Sequence, residues 1–282
     1  MATATHIVKQ SALSFLSVTA ITLNLTFWVI PVFVIAVGQA VARSQRTRRF
    51  WYRILDAIYH AAVHFNSAWV TRVLGVNIVV HGEVPRDPTE HLIVLSNHRS
   101  WFDILVLHKL VTGEGPIIKF LMKKELIYIP VVGWLCFALN FPRLNRGGSE
   151  DGRTQDYSTV QQAAESLNGG LGALLNFAEG TRFSPAKHRA QQSPYRYLLR
   201  PHSGGLRIML AAMPEVRILD CTLAYPNQSL SFWQCLGGDL REIHVWLDSI
   251  PAFEVTDVNA WLAERWEVKD RRIAEAQPAA NL

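Results

Sequence analysis

Between Gln10 and Ala42 this chain carries 33 consecutive residues without one charged side chain. The run includes Phe15, Leu16, Ile21, Phe27, Trp28, Ile30, Phe33 and Ile35. It lacks the polar stripe that a helix at an aqueous protein surface keeps. A bilayer span needs about 20 apolar residues, so the run is long enough to cross one. Arg43, Arg46, Arg48, Arg49 and Arg53 follow at once, with only His6 and Lys9 ahead. Positive flanks stay on the cytoplasmic side, which places the body of the chain in the cytoplasm. Asn24 and Pro31 interrupt the run, leaving two geometries open: a single span, or a re-entrant hairpin dipping into one leaflet. A cleaved signal sequence ending at Ala40-Val41-Ala42 is disfavoured, because the apolar stretch is twice the roughly 7–15 residues such signals use.

Beyond the run, Trp51, Leu55, Ile58, Ala62, Phe65, Trp69 and Val73 recur at steps of three and four, with Arg48, Arg49, Arg53, Asp56 and His60 between them. That spacing predicts an amphipathic helix over residues 48–74, lying in the bilayer interface or packed on a domain. The expected organisation is an N-terminal membrane anchor with its amphipathic helix over 1–74, then a second unit over 75–282.

The charge balance narrows the partners. Charged residues make up 18%, below the ~25% of soluble domains, which fits contact with lipid. The 28 Lys+Arg against 23 Asp+Glu suit an anionic lipid surface, a phosphate-bearing substrate or an acidic carrier protein. No basic stripe with interleaved aromatics occurs, so a nucleic-acid partner is not expected. Cys136, Cys221 and Cys235 are odd in number and contain no C-x-x-C pair. Neither a disulfide framework nor a zinc site is expected, and a reducing compartment fits.

After Gly75, short Val- and Ile-rich runs alternate with helical stretches. Strands are expected near 76–81, 92–96, 117–121, 138–143, 172–178, 216–223 and 242–247, and helices near 101–111, 123–136, 154–168, 203–212 and 257–275. This alternation argues for an α/β fold: a mixed, largely parallel sheet flanked by helices, behind the N-terminal membrane-embedded helical segment. Ligands of such sheets sit beyond the carboxyl ends of the strands.

Two motifs occupy such ends. The strand over 92–96 runs into Asn97-His98-Arg99-Ser100-Trp101-Phe102-Asp103. On one helix His98 and Asp103 would point about 140° apart. They meet only if His98 sits in a turn and Asp103 in the first helical turn, with Ser100 as the cap. Asp103 then orients one imidazole nitrogen and the other is left to take a proton from a hydroxyl. The competing reading makes Ser100 and Asp103 a capping box alone. Metal binding through His108 is disfavoured, because it falls on another helix face from Asp103. The strand over 174–178 ends in Glu179-Gly180-Thr181-Arg182: a glycine for a tight turn, a hydroxyl, and a forked cation suited to phosphate. A strand-ending turn with a surface ion pair would look the same. Lys123 and Arg146 lie between the motifs and supply positive charge either to an anionic acceptor or merely to solvent.

Taken together, these stretches resemble the glycerolipid acyltransferase family typified by lysophosphatidate acyltransferase. N-H-x-x-x-x-D is matched by Asn97, His98 and Asp103. K-x-x-L with a later P-x-x-G and arginine is matched by Lys123, Leu126, Pro130, Gly133 and Arg146. F-P-E-G-T-R is matched by Phe177, Glu179, Gly180, Thr181 and Arg182, with Ala178 in place of proline. The resemblance implies transfer of an acyl group from acyl-CoA or acyl carrier protein to the free hydroxyl of a lysophospholipid, at a lipid bilayer. It implies His98 as general base and Asp103 as its orienting partner. It also implies acceptor binding by Glu179, Gly180, Thr181 and Arg182, and charge from Lys123 and Arg146. It implies no metal, no cofactor and no acyl-enzyme, the last in keeping with the lack of a G-x-S-x-G elbow. The family's last motif departs here: Val216-Arg217-Ile218-Leu219-Asp220 replaces its proline-bearing strand. Phe183 to His188 and the Trp261 to Asp270 tail are more similar to a bacterial subgroup resembling lysocardiolipin acyltransferases. That subgroup implies a bacterial inner membrane with the site on its cytoplasmic face. Two other functions remain to be separated: a non-catalytic lipid-binding scaffold, and an acyl thioesterase.

Overall fold

The structure, a computed structural model, describes residues 4–85, 91–113, 115–139, 141–144, 158–159, 161–163 and 172–277. Helix α1 (Ala4–Val41) runs unbroken through Asn24 and Pro31, about 57 Å at 1.5 Å per residue. By length and composition it is able to cross a membrane. The re-entrant reversal at Asn24 and Pro31 is not formed. Proline removes one backbone donor, and a helix of this length absorbs that loss. Asn24 is a tether: its Nδ2 donates to Ala62 O and Asn66 Oδ1 at 3.0 Å, and Trp28 Nε1 donates to its Oδ1 at 3.1 Å. Ala62 and Asn66 lie on α2 (Gln45–Ala68), which starts three residues before the expected helix because Ser44 caps it through Thr47 N at 3.1 Å. A last wide turn, Trp69–Val73, completes it.

The two helices are antiparallel. Trp69 Nε1 reaches Ser17 Oγ at 3.0 Å, Asn24 reaches Ala62, and Gly38 lies so close to the Trp51 indole that a side chain would collide. The arginine cluster therefore sits around the turn of a helical hairpin. Near its start α1 is fastened to the body: Ser14 and Ser17 donate to Trp233 O at 2.8 Å and Leu236 O at 3.0 Å, on the short helix Phe232–Leu236. Farther along, Leu23, Phe27, Ile30, Val34, Val37 and Val41 are exposed.

The sheet comprises β1 (Asn77–His81), β2 (Leu92–Ser96), β3 (Ile117–Phe120), β6 (Gly172–Phe177), β7 (Arg217–Ala224) and β8 (Glu242–Pro251), in the order β1-β8-β7-β2-β6-β3. Among the described residues only the β7–β8 pair of this sheet is antiparallel. A small separate pair joins β4 (Met122–Lys123) and β5 (Arg143–Leu144). Every residue of β2 is buried, as expected of a strand covered on both faces. Side chains alternate across it. Leu92 and Val94 join Phe102, Leu107, Ile118, Leu175 and Leu223 on one face. Ile93 and Leu95 join Leu174, Leu206, Met209, Leu262 and Trp266 on the other. Helix α3 (Phe102–Leu107) covers the first face; Gly204–Ala212 and Val258–Glu275 cover the second.

Six of the seven expected strands are present, with β8 extending to Pro251. The expected helix over 123–136 and strand over 138–143 are replaced. Lys123 ends β4, Lys124–Tyr128 forms a tight 3₁₀ segment, and helix α4 is Val132–Ala138. Pro130 and a left-handed Val131 (φ 66°) break the run that periodicity joined. Most of the expected 154–168 helix lies outside the described residues, although 158–159 and 161–163 are helical. Two short helices, α5 (Pro185–Gln191) and Phe232–Leu236, were not expected.

Candidate active site

The sheet register brings the two motifs together. Ser96 at the end of β2 pairs directly with Phe177 at the end of β6, so residues 97–103 and 178–182 leave the sheet side by side at one height. Asn97 fixes the first turn to the strand on the other side. Its Nδ2 donates to Leu223 O at 2.9 Å and its Oδ1 accepts Leu223 N at 2.8 Å, continuing the ladder with β7 by one step.

His98 and Asp103 are in contact. Nδ1 lies 2.9 Å from Asp103 Oδ2. That same oxygen accepts the backbone N–H of Arg99 at 2.6 Å and of Ser100 at 2.8 Å, while Ser100 Oγ accepts Phe102 N at 3.2 Å. One half of the expected capping box, the bond from Ser100 N–H to Asp103, forms together with the His–Asp pair, whereas Asp103 N bonds to Ser100 O and Trp101 takes the cap position: the carboxylate in the first turn of α3 also orients the imidazole. A carboxylate accepts only, so Nδ1 carries the hydrogen and Nε2 keeps its lone pair. Nε2 makes no hydrogen bond among the described residues. The ring stacks on Phe177 at 3.8 Å between centroids and 13° between planes. The His98 side chain is 11% exposed and that of Asp103 is fully covered.

The second motif wraps the first. Gly180 takes a left-handed φ of 67° and its N–H closes a turn onto Phe177 O at 2.9 Å. Phe183 N then donates to His98 O at 2.8 Å. Glu179 lies beneath this turn, and its two oxygens accept His98 N at 3.2 Å and Leu199 N at 3.4 Å. Burial pushes its carboxyl up to about 8, against those donors, with Asp103 adding to the rise and Lys269 opposing it. Thr181 Oγ1 and Arg182 O both accept from Lys187 Nζ on α5, at 2.7 and 3.0 Å.

The arginines interlock with the opposite motif: Arg182 Cζ lies 4.8 Å from the centre of the Trp101 ring, and Arg99 Cζ lies 4.7 Å from that of Phe183. Arg182 is exposed, whereas one terminal nitrogen of Arg99, Nη1, is buried without a hydrogen-bond partner among the described residues.

The structure therefore brings together His98, Asp103, Glu179, Gly180, Thr181 and Arg182. Lys123 is placed by its backbone alone, in β4 beside Leu144 of β5, and Arg146 lies outside the described residues. Among the described residues no group of three or more metal-ligating side chains occurs. The sequence reading did not reach Arg99, Lys187 or Tyr225. Tyr225, just beyond β7, donates its phenol to Asp103 Oδ1 at 2.5 Å across 122 positions of sequence, and no local pattern marks such a contact.

An α/β sheet that mounts a histidine–carboxylate pair beside guanidinium groups, at the carboxyl ends of its central parallel strands, has the equipment for taking a proton from a hydroxyl next to an anion. The chain belongs to the Acyltransferase family: that family's model matches residues 77–225, over half of its length. It is similar to 1-acyl-sn-glycerol-3-phosphate acyltransferase delta of Bos taurus, with 26% identity over 205 residues, covering 66% of this chain and 53% of that protein. It is similar also to 1-acyl-sn-glycerol-3-phosphate acyltransferase 3 of Arabidopsis thaliana, with 32% identity over 195 residues, covering 62% of this chain and 50% of that protein. The chain thus spans about half the length of these curated relatives. Its fold is that of the 1-acyl-sn-glycerophosphate acyltransferase PlsC from Thermotoga maritima, with a TM-score of 0.52 and 19% identity, covering 90% of this chain and 94% of that one.

Proposed function

We propose that this chain is a membrane-bound acyltransferase that moves a fatty acyl group from a thioester, acyl-CoA or acyl carrier protein, to the free hydroxyl of a lysophospholipid of the lysophosphatidate type. The observation that carries the reading is the His98 Nδ1–Asp103 Oδ2 contact at 2.9 Å with Nε2 left unpartnered. His98 Nε2 takes the hydroxyl proton as that oxygen attacks the thioester carbonyl. Asp103 stabilises the imidazolium. Collapse of the tetrahedral intermediate breaks the carbon–sulfur bond, and the imidazolium returns its proton to the departing thiolate. No cofactor beyond the thioester enters this sequence. Gly180, Thr181 and Arg182 hold the acceptor, with the exposed Arg182 guanidinium on its phosphate. Lys123 and Arg146 add charge there. Glu179 supports the site from below through the His98 backbone. The names of the relatives, all acting on 1-acylglycerol phosphates, support this acceptor class.

In this reading residues 1–74 form the membrane anchor and 75–282 the acyltransferase domain. The α1–α2 hairpin lies at the cytoplasmic face of a bacterial inner membrane, with exposed apolar residues of α1 such as Phe27, Ile30 and Val34 in the lipid and the Arg43–Arg53 turn at headgroup level. A full crossing by α1 would carry the Arg43–Arg53 cluster through the hydrocarbon, which is costly. The test uses purified protein, labelled acyl-CoA and a panel of lysophospholipids, with products resolved by headgroup. New phospholipid that disappears in His98→Ala is expected. Full turnover in His98→Ala sinks the assignment, release of free fatty acid alone makes the protein a thioesterase, and lipid binding without thioester consumption makes it a scaffold.

A further inference from the structure

The third partner of the His98–Asp103 pair is the one that no motif contains. Asp103 Oδ2 is fully engaged by His98 Nδ1 and the N–H groups of Arg99 and Ser100. Its other oxygen has one donor, the Tyr225 hydroxyl at 2.5 Å. Tyr225 is 2% exposed and held by its backbone. Its carbonyl accepts the side-chain amides of Gln228 at 2.8 Å and Gln277 at 3.0 Å, and two residues earlier Leu223 is bonded in both directions to Asn97. The end of β7 thereby grips the turn bearing the base at two points, Asn97 and Asp103.

We propose that Tyr225 is a positioning residue of the acyl-transfer site: its phenol, donating to Asp103 Oδ1, fixes the plane of the carboxylate on His98 and draws off part of its negative charge. The inference rests on the general-base reading given above. Burial keeps the phenol protonated, well above its ordinary range, so it remains a donor. A carboxylate that shares its charge with a buried phenol attracts a proton on a neighbouring imidazole less strongly. The other titratable and charged groups facing the pair are Arg99 on the same turn, Glu179 from the end of β6 and Cys235 from the helix Phe232–Leu236, with Lys269 beyond Glu179.

Tyr225→Phe removes the hydroxyl and leaves the ring. The measurement is kcat and KM against pH for wild type, Tyr225→Phe and His98→Ala, with thermal unfolding of each. In Tyr225→Phe the acid limb of kcat/KM moves up by about one pH unit, turnover on that limb falls about tenfold, and KM for the thioester stays unchanged. Site-specific fluorotyrosine at 225, a stronger donor of nearly the same volume, moves the limb the other way. A loss of kcat uniform at all pH values, or profiles that superimpose on wild type, overturns the role of Tyr225 while leaving the base assignment intact. Turnover retained by His98→Ala overturns the underlying reading instead. If Tyr225→Phe does not fold, the fluorotyrosine shift decides alone, and its absence overturns the proposal.

Discussion

Asp103 and Asp220 are both fully buried and both depend on β7, yet they are neutralised by different means. Asp220, in mid-strand, meets cations: Lys269 Nζ at 2.5 Å and Arg265 Nε at 2.7 Å. Arg265 also reaches Asp248, which Arg272 holds from the other side at 2.7 Å, and Lys269 donates to Cys221 O at 2.6 Å. Burial pulls Lys269 below the ordinary lysine range, and Asp220 opposes that pull. Asp103, by contrast, is surrounded by two backbone N–H groups, a phenol and one imidazole. Pairing with fixed cations quenches a carboxylate and staples Val258–Glu275 to the sheet. Pairing with neutral donors leaves a carboxylate with no cation bonded to it.

Each way of testing this contrast has an expected outcome. Replacing His98 by Ala lowers turnover by roughly 10²–10⁴-fold, read in the acyl-transfer assay, while the unfolding curve keeps its midpoint. Asp220→Asn does the opposite. It leaves Lys269 buried without its counter-ion and costs about 3–5 kcal/mol in denaturant unfolding, with kcat per folded molecule kept. A variant losing activity in proportion at constant stability would erase the distinction. Arg182→Ala, at an exposed side chain, raises KM for a phosphate-bearing acceptor by about tenfold and leaves KM for the thioester alone. Glu179→Gln tests the remaining buried carboxyl. Its value rises from the ordinary 4.5 to about 8 on folding, so the folded protein holds the proton more tightly. The stability it contributes is complete below pH 4.5 and is lost as pH climbs towards 8. Thermal unfolding across that window therefore loses stability with rising pH in the wild type, by up to ~1.4 kcal/mol per pH unit, and the slope flattens in Glu179→Gln.

What the sequence makes legible follows from range. β2 and β6 are apolar runs ended by polar turns, so they and the motifs they carry can be placed from local pattern. So can the capping geometry joining His98 to Asp103, five residues apart. The 123–144 stretch resists because Pro130 and Val131 interrupt an apolar period that otherwise reads as one helix. The helix at Phe232–Leu236 did leave a local mark, the Ser231–Gln234 capping box, but its five residues are too few to show periodicity. Tyr225, Lys187 and the crossed stacking of Arg99 and Arg182 depend on which strands become neighbours, and no window of sequence holds that information.

The two serines at the foot of α1 have a mechanical consequence. Ser14 and Ser17 bond to carbonyls of the body, so the long helix behaves as a lever with a clamped end and has no free swivel. Tilting its far tip turns the whole domain with it. The depth at which that tip settles in a lipid film would then set the height of the His98–Asp103 pair above the film, and lengthening or shortening the lever by one turn would move the pair by about 5.4 Å.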